Sequence, residues 1–520
     1  MFELFKTTNK VNDLLENIGQ VLDITEAQYE LVKNRYSAVA NQLSKEGTDL
    51  SRYKPEILPQ GSFLLGTMIR PIMEDDELDV DLVCRLTGKK SDWVQKHLKD
   101  AVRDQLIANN DDYRRMLDDE GNRCWTLVYT SDKFHLDILP SMVGNNNHVN
   151  LSERSFSNLN KSDLEEISLR ITDKRETNYH TESNPNYWLK SNPFGYAAWF
   201  KERCSISNRR TIFLSEIIKP LPDYKKDKEP LIRAVQVLKR HRDIMFGGDE
   251  HKPISIIITT LAAKAYNKEN NVIDALVNIL ANMQDRMKRV YCDKKHYKEI
   301  WWIENPVNEE ENFADKWPLE KQKEDNFFSW LEKAKSDFSS LKNMNPSDAY
   351  RLLKNIIGTR SVNEAVRNLG YDELITENLK PVNYSSQMLS VAHREQPRWG
   401  MSLVYNCDIY SRYNDVSDNK KSKSIYSQTV IPKNCDIYFT ATTNVPKPYD
   451  VYWQVVNTGD EAKNAFMGLR GGIFHAKTLG KGGLIQKEHS EFTGIHWMEC
   501  FIVKNGVCVA RSSEFFVNIK

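Results

Sequence analysis

The stretch GSFLLGTMIRPIMEDDELDVDLVCRL, residues 61–86, decides how the N-terminal part of this chain folds. It opens with Gly61-Ser62, a turn that leads into a short helical segment. It ends in residues 78–84, where apolar and polar side chains alternate as in a β-strand. Asp79 and Asp81 are two positions apart, so this strand would carry both carboxylates on one face. The other face would be apolar, with Leu78, Val80, Leu82 and Cys84.

A third carboxylate, Asp137, lies in the apolar sequence FHLDIL of residues 134–139. This run and residues 124–130 are typical of two β-strands, and the polar residues 131–133 between them predict a β-hairpin. If the second strand of the hairpin pairs beside the strand of residues 78–84, the three carboxylates meet. A D-x-D pair alone is more often a surface or calcium-binding feature, and a Gly-Ser pair alone is usually a turn. The combination is much more specific.

Three converging carboxylates repel one another, and cations are needed to offset that repulsion. Mg²⁺ is the natural cation because it prefers oxygen ligands and often joins a carboxylate to substrate phosphates, and Mn²⁺ is an alternative. Two such ions, roughly 3.5–4 Å apart, would stabilise the attacking and leaving oxygens of an in-line displacement. Gly61-Ser62 would offer backbone and hydroxyl donors to the phosphates. These residues together predict a nucleotidyl-transfer site.

Helices and strands mix in residues 1–160, and helical patterns dominate residues 161–370. Thr25 begins a capping box, and the apolar residues after it repeat at helical spacing. Pro230 is expected to begin another helix. Residues 301–317 are interpreted as a loop that wraps around the helices. The pattern predicts a mixed first domain followed by a helical one.

Residues 371–400 are polar and aperiodic, and they predict a linker that few contacts cross. Strand-like runs follow in residues 401–520, and Asn505-Gly506 between two apolar runs predicts a β-hairpin. The expected C-terminal domain is β-rich and sandwich-like, with Tyr452, Trp453 and Trp497 in its core rather than in a platform for stacking bases. The glycine-rich residues 468–483 are either a phosphate cradle or a long connection between strands, and they contain the cationic residues Arg470, His475, Lys477 and Lys481.

The composition favours an intracellular protein that acts on small substrates. The 72 Lys and Arg residues balance 72 Asp and Glu, whereas proteins that coat long nucleic acids usually have a basic excess. The eight cysteines show no C-x-x-C spacing, which argues against a zinc site. No secretion signal and no apolar run of roughly 20 residues is visible, so we expect a cytoplasmic protein without a membrane partner.

The motifs described above resemble the SMODS family of bacterial second-messenger synthases, the cyclic GMP-AMP synthase and DncV-like nucleotidyltransferases of the polymerase-β superfamily. The resemblance continues through HLDILPS (135–141), SNPFGYAAWF (191–200), LKRHRD (238–243), KPISIIITTLAAKAY (252–266) and NPVNEEENFADKW (305–317). It implies an α+β fold, with a polymerase-β-like nucleotidyltransferase core in residues 1–160 and a helical substrate-binding domain in residues 161–370.

The resemblance also implies roles for the three carboxylates. Asp79, Asp81 and Asp137 would hold two Mg²⁺ ions. Asp137 would in addition orient or deprotonate the acceptor hydroxyl.

Five further positions match residues that contact the substrate in the family. Gln60, Gly61 and Ser62 would line the triphosphate of the donor nucleotide. Lys239 and Ser255 match positions that contact phosphates. The Lys239 ammonium is suited to neutralise a phosphate, and the alternative interpretation places it on a solvated helix face.

The C-terminal part resembles the family called the adenylyl/guanylyl cyclase and SMODS C-terminal sensor domain. The matching residues are YDVYWQVVNTG (449–459), LRGG (469–472) and HWME (496–499). The resemblance implies that this domain senses a regulatory ligand, still unidentified, and controls the synthase.

The leading hypothesis is therefore a template-independent synthase that joins ATP or other nucleoside triphosphates into a cyclic or short linear oligonucleotide. The family implies a role in anti-phage signalling, in which the product diffuses to a downstream effector protein. One alternative is an RNA-tailing or aminoglycoside-modifying transferase, which shares the Gly-Ser and D-x-D motifs. Another is a nucleotide-binding sensor whose transferase core is inactive.

Overall fold

Three packed units make up the structure, a computed structural model: a mixed α/β unit, a helical unit and a β sandwich. The structure describes residues 2–72, 78–143, 168–205, 221–247, 249–292, 297–371, 374, 391, 393–414, 422–425, 427, 429–465, 468–476 and 483–520.

The first part of the chain alternates between helices and strands. In chain order it contains α1 (Phe2–Leu22), α2 (Glu26–Leu43), β1 (Glu56–Pro59), α3 (Gly61–Leu64), β2 (Leu78–Leu86), α4 (Gln95–Ile107), α5 (Asp111–Met116), β3 (Trp125–Tyr129), β4 (Phe134–Val143), β5 (Leu169–Ile171), β6 (Leu189–Ser191) and α6 (Pro193–Cys204). Short 3₁₀ helices occupy Leu50–Tyr53 and Pro185–Tyr187.

A six-stranded sheet forms the centre of the mixed unit. Its order is β1-β2-β4-β5-β6, with β3 also paired to β4, and only the β2–β4 pair is parallel among its described strands. The hairpin predicted around residues 131–133 is confirmed as β3–β4. Helices α2 and α4 bury apolar residues against one face of the sheet. The opposite face is therefore left for the carboxylates and for the helical unit.

Helix α2 forms for the reasons that its sequence indicates. Thr25 caps it with a complete capping box, and the predicted apolar stripe is buried throughout: Tyr29, Val32, Tyr36, Val39 and Leu43.

The helical unit contains most of the middle of the chain. Its elements are α7 (Pro230–Phe246), α8 (Ser255–Ala265), α9 (Val272–Asn282), β7 (Lys288–Cys292), β8 (Tyr297–Trp302), β9 (Glu304–Asn305), β10 (Asn308–Asn312), α10 (Lys321–Leu341), α11 (Pro346–Ile357) and α12 (Thr359–Asn368), with a 3₁₀ helix at Gln284–Arg286. Pro230 begins α7 as predicted. Helix α7 is central, because α1, α8, α9, α10 and α11 all pack against it.

The structure corrects two sequence interpretations in this region. The wrapping loop predicted for residues 301–317 contains the antiparallel pair β9–β10, which continues from β8. Helix α1, which precedes the first helix recognised in the sequence, packs among the helices of the second unit rather than on the sheet. The helical unit therefore includes residues from the N-terminal stretch predicted to belong to the mixed domain.

The C-terminal unit is a sandwich of two sheets around an apolar core, in agreement with the sequence prediction. Its elements are β11 (Gly400–Met401), β12 (Cys407–Asn414), β13 (Ser422–Ile425), β14 (Thr429–Ile431), β15 (Asp436–Thr443), β16 (Asp450–Val456), α13 (Asp460–Asn464), β17 (Ile473–His475), β18 (Ile485–His489), β19 (Gly494–Lys504), β20 (Val507–Arg511) and β21 (Phe515–Ile519). One sheet has the order β13-β12-β15-β18, and β19 is central in the other.

Local turn chemistry confirms part of the sandwich. Asn505 and Gly506 join β19 to β20, and both have positive φ angles, 53° and 77°, as a type I′ turn requires. Trp453 and Trp497 are buried as expected, whereas Tyr452 is only partly buried.

The boundary before the sandwich differs from the prediction in the part of the linker that the structure describes. Residues 393–395 already pack on the sandwich: the His393 ring bonds to the Asn457 carbonyl, and the Glu395 N–H donates to the Gly471 carbonyl. Contacts also cross between α12 of the helical unit and β12 of the sandwich. Residues 393–395 therefore belong with the sandwich, before its predicted start at residue 401, and the prediction of few contacts between the two units stays a prediction.

Candidate active site

Strand pairing brings the predicted carboxylates to one face of the central sheet. In the parallel register of β2 and β4, Asp81 lies opposite Asp137 and Asp79 lies opposite His135. Because Asp79 and Asp81 are two residues apart, both point to the face that Asp137 shares. The convergence predicted from the sequence is therefore present.

The three carboxylates have different surroundings. Asp137 accepts a hydrogen bond from the Thr126 hydroxyl at 2.5 Å, which fixes its orientation. The Asp79 side chain is 80% exposed, and its Oδ1 lies 3.7 Å from Nδ1 of His135. Burial, followed by the nearby Asp137 and Asp79 carboxylates, raises the pKa of Asp81 to about 6, while Lys239 acts in the opposite direction. A cation beside Asp81 would relieve this electrostatic cost.

The donor set fits a hard divalent cation, although it is not a closed cage. No group of three acidic, histidine or cysteine side chains among the described residues is arranged to hold a metal ion. We attribute the missing third ligand to Asp79, because its carboxylate is turned toward His135 and solvent. Asp81 and Asp137 already oppose each other across the two strands, and a rotation of Asp79 would bring a third oxygen donor to them.

Gly61 allows the turn before α3 to touch the second carboxylate. Its φ of 61° lies in the left-handed region, and a Cβ at this position would overlap the Asp81 carboxylate. The backbone ties the same segment to β2, because the Gln60 N–H donates to the Asp81 carbonyl at 2.9 Å. Ser62 follows at the start of the helical turn and lines the cavity in front of the carboxylates. Gln60 contributes its main chain and is not part of that lining.

Lys239 is buried, so the alternative of a solvated helix face is wrong. Only 4% of the residue is exposed, and Nζ donates to the Thr67 carbonyl at 3.0 Å and to the Thr67 hydroxyl at 3.1 Å. Burial, with the Arg242 charge, lowers the pKa of Lys239 to about 7, against the attraction of Asp243 and Asp81. The lysine thus holds the segment that follows Ser62 and also lines the cavity.

Ser255 is the first residue of α8 and lies on the same cavity wall. Its hydroxyl accepts a hydrogen bond from Nη1 of Arg242 at 3.0 Å, and the same Nη1 donates to the Pro253 carbonyl. The sequence prediction included Ser255 and missed Arg242, although Arg242 lies in the LKRHRD motif.

One cavity of about 2280 Å³ is lined by all the site residues predicted from the sequence except Gln60. Its lining includes Asp79, Asp81 and Asp137 from the sheet, Lys239 and Ser255 from the helices, and residues of the sandwich. Apart from the three carboxylates, nine Lys and Arg residues and six Asp and Glu residues line it. With the three carboxylates included, nine cationic and nine anionic residues balance, so the lining would suit ligands that carry several phosphates once bound metal ions neutralise those carboxylates.

Sequence reasoning also missed Thr126 and Cys124 beside the carboxylates. Thr126 is a plain β3 residue in the sequence, and only the strand register shows that it meets Asp137. Burial and the nearby Asp137 and Asp81 charges raise the pKa of the Cys124 thiol to about 12. Cys124 is therefore protonated at neutral pH and unsuited to act as a nucleophile.

The glycine-rich connection in the sandwich is only partly described. Arg470 is bound to Glu488, with Nη1 and Oε2 2.5 Å apart. Lys477 and Lys481 lie outside the described residues.

Known families match both ends of the chain. Residues 6–163 match the Second Messenger Oligonucleotide or Dinucleotide Synthetase (SMODS) domain, and residues 389–520 match the Adenylyl/Guanylyl and SMODS C-terminal sensor domain. The chain therefore combines a SMODS domain in its first part with a C-terminal sensor domain in its last part. In this SMODS chain the first match contains Asp79, Asp81 and Asp137, and the second contains the whole sandwich.

Two curated relatives are similar over much of the SMODS chain. The c-di-GMP synthase of Roseivirga ehrenbergii is 28% identical over 340 residues, which are 64% of this chain and 80% of the relative. The cyclic dinucleotide synthase CdnG of Bradyrhizobium diazoefficiens is 24% identical over 305 residues, 55% of this chain and 64% of the relative.

A solved structure supports the fold. The Bradyrhizobium diazoefficiens CD-NTase CdnG, solved in complex with GTP, is 18% identical with a TM-score of 0.50, and the similarity covers 69% of this chain and 99% of CdnG. In the described part of the SMODS chain, no helix is long and apolar enough to cross a membrane.

Proposed function

We propose that this chain joins nucleoside triphosphates into a cyclic oligonucleotide, without a template and with two Mg²⁺ ions. The observation that carries the proposal is the opposition of Asp81 and Asp137 across β2 and β4, with Asp79 on the same face and Gly61-Ser62 directly in front. This arrangement supports the proposal, because carboxylate oxygens that would suit a metal lie beside groups that would donate to a triphosphate.

The metals would be held by Asp79, Asp81 and Asp137. When bound, they supply positive charge that stabilises the attacking and leaving oxygens of an in-line displacement. Thr126 holds Asp137 in the orientation from which it would position an acceptor hydroxyl.

The triphosphate of the donor would lie between Ser62 and the cationic wall of the cavity. Ser62 and the start of α3 offer hydroxyl and amide donors, as phosphate sites at helix starts do. Lys239, with a pKa near 7 in the folded protein, would gain its proton fully beside a phosphate. Ser255 and Arg242 form the adjacent wall.

The size of the cavity favours more than one nucleotide. Pockets for one small molecule usually enclose roughly 300–1,000 Å³, and this cavity is about 2280 Å³. A relative named as a c-di-GMP synthase and a GTP-bound structural neighbour support ribonucleotide substrates. We extend the proposal to a role in bacterial anti-phage signalling, with the sandwich as a regulatory domain.

The proposal is tested by incubating the full-length protein with labelled ATP, GTP, CTP and UTP in Mg²⁺. We expect a product that resists phosphatase because ring closure removes the terminal phosphates. The matched control is the double variant Asp79→Asn and Asp81→Asn, which should fold and give no product because the metal ligands are lost.

Other outcomes separate the competing functions. Elongation of an added RNA primer, without a cyclic product, would identify a tailing enzyme. Nucleotide binding without turnover by the wild-type protein would identify an inactive sensor. Turnover near the wild-type rate in the double variant would refute the two-metal site.

A further inference from the structure

The sandwich touches the synthase at the helices that support its active site. Strand β12 packs against α12, and β13 packs against α7. Asp408 and Tyr410 of β12 face the synthase and line the cavity that holds the catalytic carboxylates.

Asp408 caps a helix of the synthase from the other domain. Helix α12 follows Gly358, which has no side chain with which to cap it. Burial raises the pKa of Asp408, and hydrogen bonding from the Thr359 side chain and the Arg360 backbone N–H, two groups of the first turn, acts against that rise. Aspartate is among the preferred N-cap residues, and its charge suits the positive end of a helix. The sandwich thus supplies the N-cap that the sequence of α12 lacks.

Tyr410 makes a second contact two residues later. Its hydroxyl would lie 3.2 Å from a Cβ at Gly358, whose φ of 103° already favours glycine. Tyr410 also lies near Arg240 of α7, because each of the two side chains influences the pKa of the other. The Arg240 guanidinium donates a hydrogen bond to the Arg70 carbonyl.

Both contacts lead to Arg70, in the segment that joins Ser62 to β2. Glu364 of α12 binds Arg70 at 3.3 Å, which connects the capped helix to its side chain. The Arg70 side chain also donates to the Val21 carbonyl, and its backbone N–H donates to the Leu22 carbonyl at 2.7 Å. Helix α12 thus contacts the Arg70 side chain through Glu364, and Arg240 contacts the Arg70 carbonyl.

We propose that Asp408 and Tyr410 are positioning residues of the synthase: the sandwich orders residues 66–72 of the active site by capping α12 and by packing Tyr410 against Gly358, near Arg240. The proposal rests on the proposed function and assigns a structural means by which the C-terminal domain would control that site. A movement of β12 would release the α12 cap and loosen the hold on Arg70. The ligand or signal that moves β12 need not touch a nucleotide.

The test compares three full-length variants by kinetics and by hydrogen exchange. Asp408→Ala removes the cap, and Asp408→Asn keeps a side-chain acceptor that caps helices well. Asp436→Ala is the matched control, because Asp436 lies in the same sandwich, binds Lys487 and His489, and does not face the synthase. We expect Asp408→Ala to lose about two- to tenfold in kcat and to exchange the amides of residues 66–72 faster. The asparagine variant and the control should stay near wild type.

A double-mutant cycle tests the route through α12. Glu364→Gln alone should lower kcat by about two- to fivefold, as expected for a partly exposed ion pair. If Asp408 acts through Glu364, the double variant Asp408→Ala with Glu364→Gln should be no worse than the more impaired single variant. Multiplied losses would show independent effects and overturn the proposed route.

The two readouts separate failure of this inference from failure of the proposed function. If the wild-type protein forms no product, the synthase proposal fails, and hydrogen exchange of residues 66–72 still tests the coupling. Unchanged exchange in Asp408→Ala, or equal losses in Asp408→Ala and Asp408→Asn, would overturn the positioning role. If the alanine variant fails to fold, the asparagine variant decides: a normal kcat and normal exchange of residues 66–72 support the capping contact, and a loss in either overturns it.

Discussion

Substitution of Gly61 by alanine tests whether the turn before α3 and the catalytic carboxylate form one unit. The added Cβ would overlap the Asp81 carboxylate oxygen, which is the end of a short side chain that can rotate. To regain an ordinary van der Waals separation, the carboxylate would have to move by about 1 Å. We therefore expect the fold to survive and Asp81 to leave its position opposite Asp137.

The expected loss of activity is much larger than the expected loss of stability. A left-handed backbone costs a residue other than glycine roughly 1–2 kcal/mol, which a chain of this size should tolerate. A displacement of a reacting group by about 1 Å costs roughly a hundredfold in rate. Gly47→Ala provides the control: Gly47 has a φ of 77°, and a Cβ there meets nothing within 4 Å. The control should share the backbone strain without disturbing Asp81.

The measurement combines denaturant unfolding with the rate of product formation from triphosphates in Mg²⁺. Both variants should unfold at similarly reduced denaturant concentrations, and only Gly61→Ala should lose most of its turnover. Equal turnover in the two variants would refute the contact between the turn and the carboxylate. A Gly61→Ala protein that loses activity only in proportion to its unfolded fraction would refute it as well.

Two further predictions concern the same site. Ser62→Ala should lower kcat/KM for the donor triphosphate by about ten- to hundredfold, since a hydrogen bond to a charged group contributes about 1.5–3 kcal/mol; unchanged steady-state kinetics would show that Ser62 only forms a turn. Asp81 has a pKa of about 6 when folded against 3.8 ordinarily, so its contribution to stability is full below pH 4 and is lost as the pH rises through 6. The unfolding free energy of wild type, relative to Asp81→Asn, should fall by on the order of 2–3 kcal/mol across that range without divalent cations, and Mg²⁺ should reduce the fall. Identical pH profiles for the two proteins would contradict this.

Local patterns predicted the elements that carry the carboxylates. The alternation in residues 78–84 and the polar residues 131–133 indicate β2 and the β3–β4 hairpin through their immediate neighbours. The shared face of Asp79 and Asp81 follows from strand geometry alone. Their meeting with Asp137 required in addition that β4 pair with β2, although α4, α5 and β3 lie between these two apolar strands in the chain.

The supporting contacts could not be predicted because their partners are distant in the sequence. Helix α1 has apolar residues at helical spacing, such as Val11, Leu14 and Ile18, but only tertiary packing shows that it belongs with α12. Lys239 looks like a surface lysine among other cations, and it is Thr67 that makes its burial tolerable. A one-dimensional pattern does not contain such pairs.

The opposite pKa shifts of Asp81 and Lys239 explain why both residues are held in one cavity. Burial disfavours the charged form of each, so the pKa of the acid rises to about 6 and that of the base falls to about 7. A divalent cation would restore the charge of Asp81, and a phosphate would restore that of Lys239. The energetic cost of burying each group is thus offset by one of the two ligands that the proposed reaction requires. Buried groups that destabilise the ligand-free protein, and that the substrate or its metal stabilises, are expected at functional sites. Such sites are maintained for function rather than for stability.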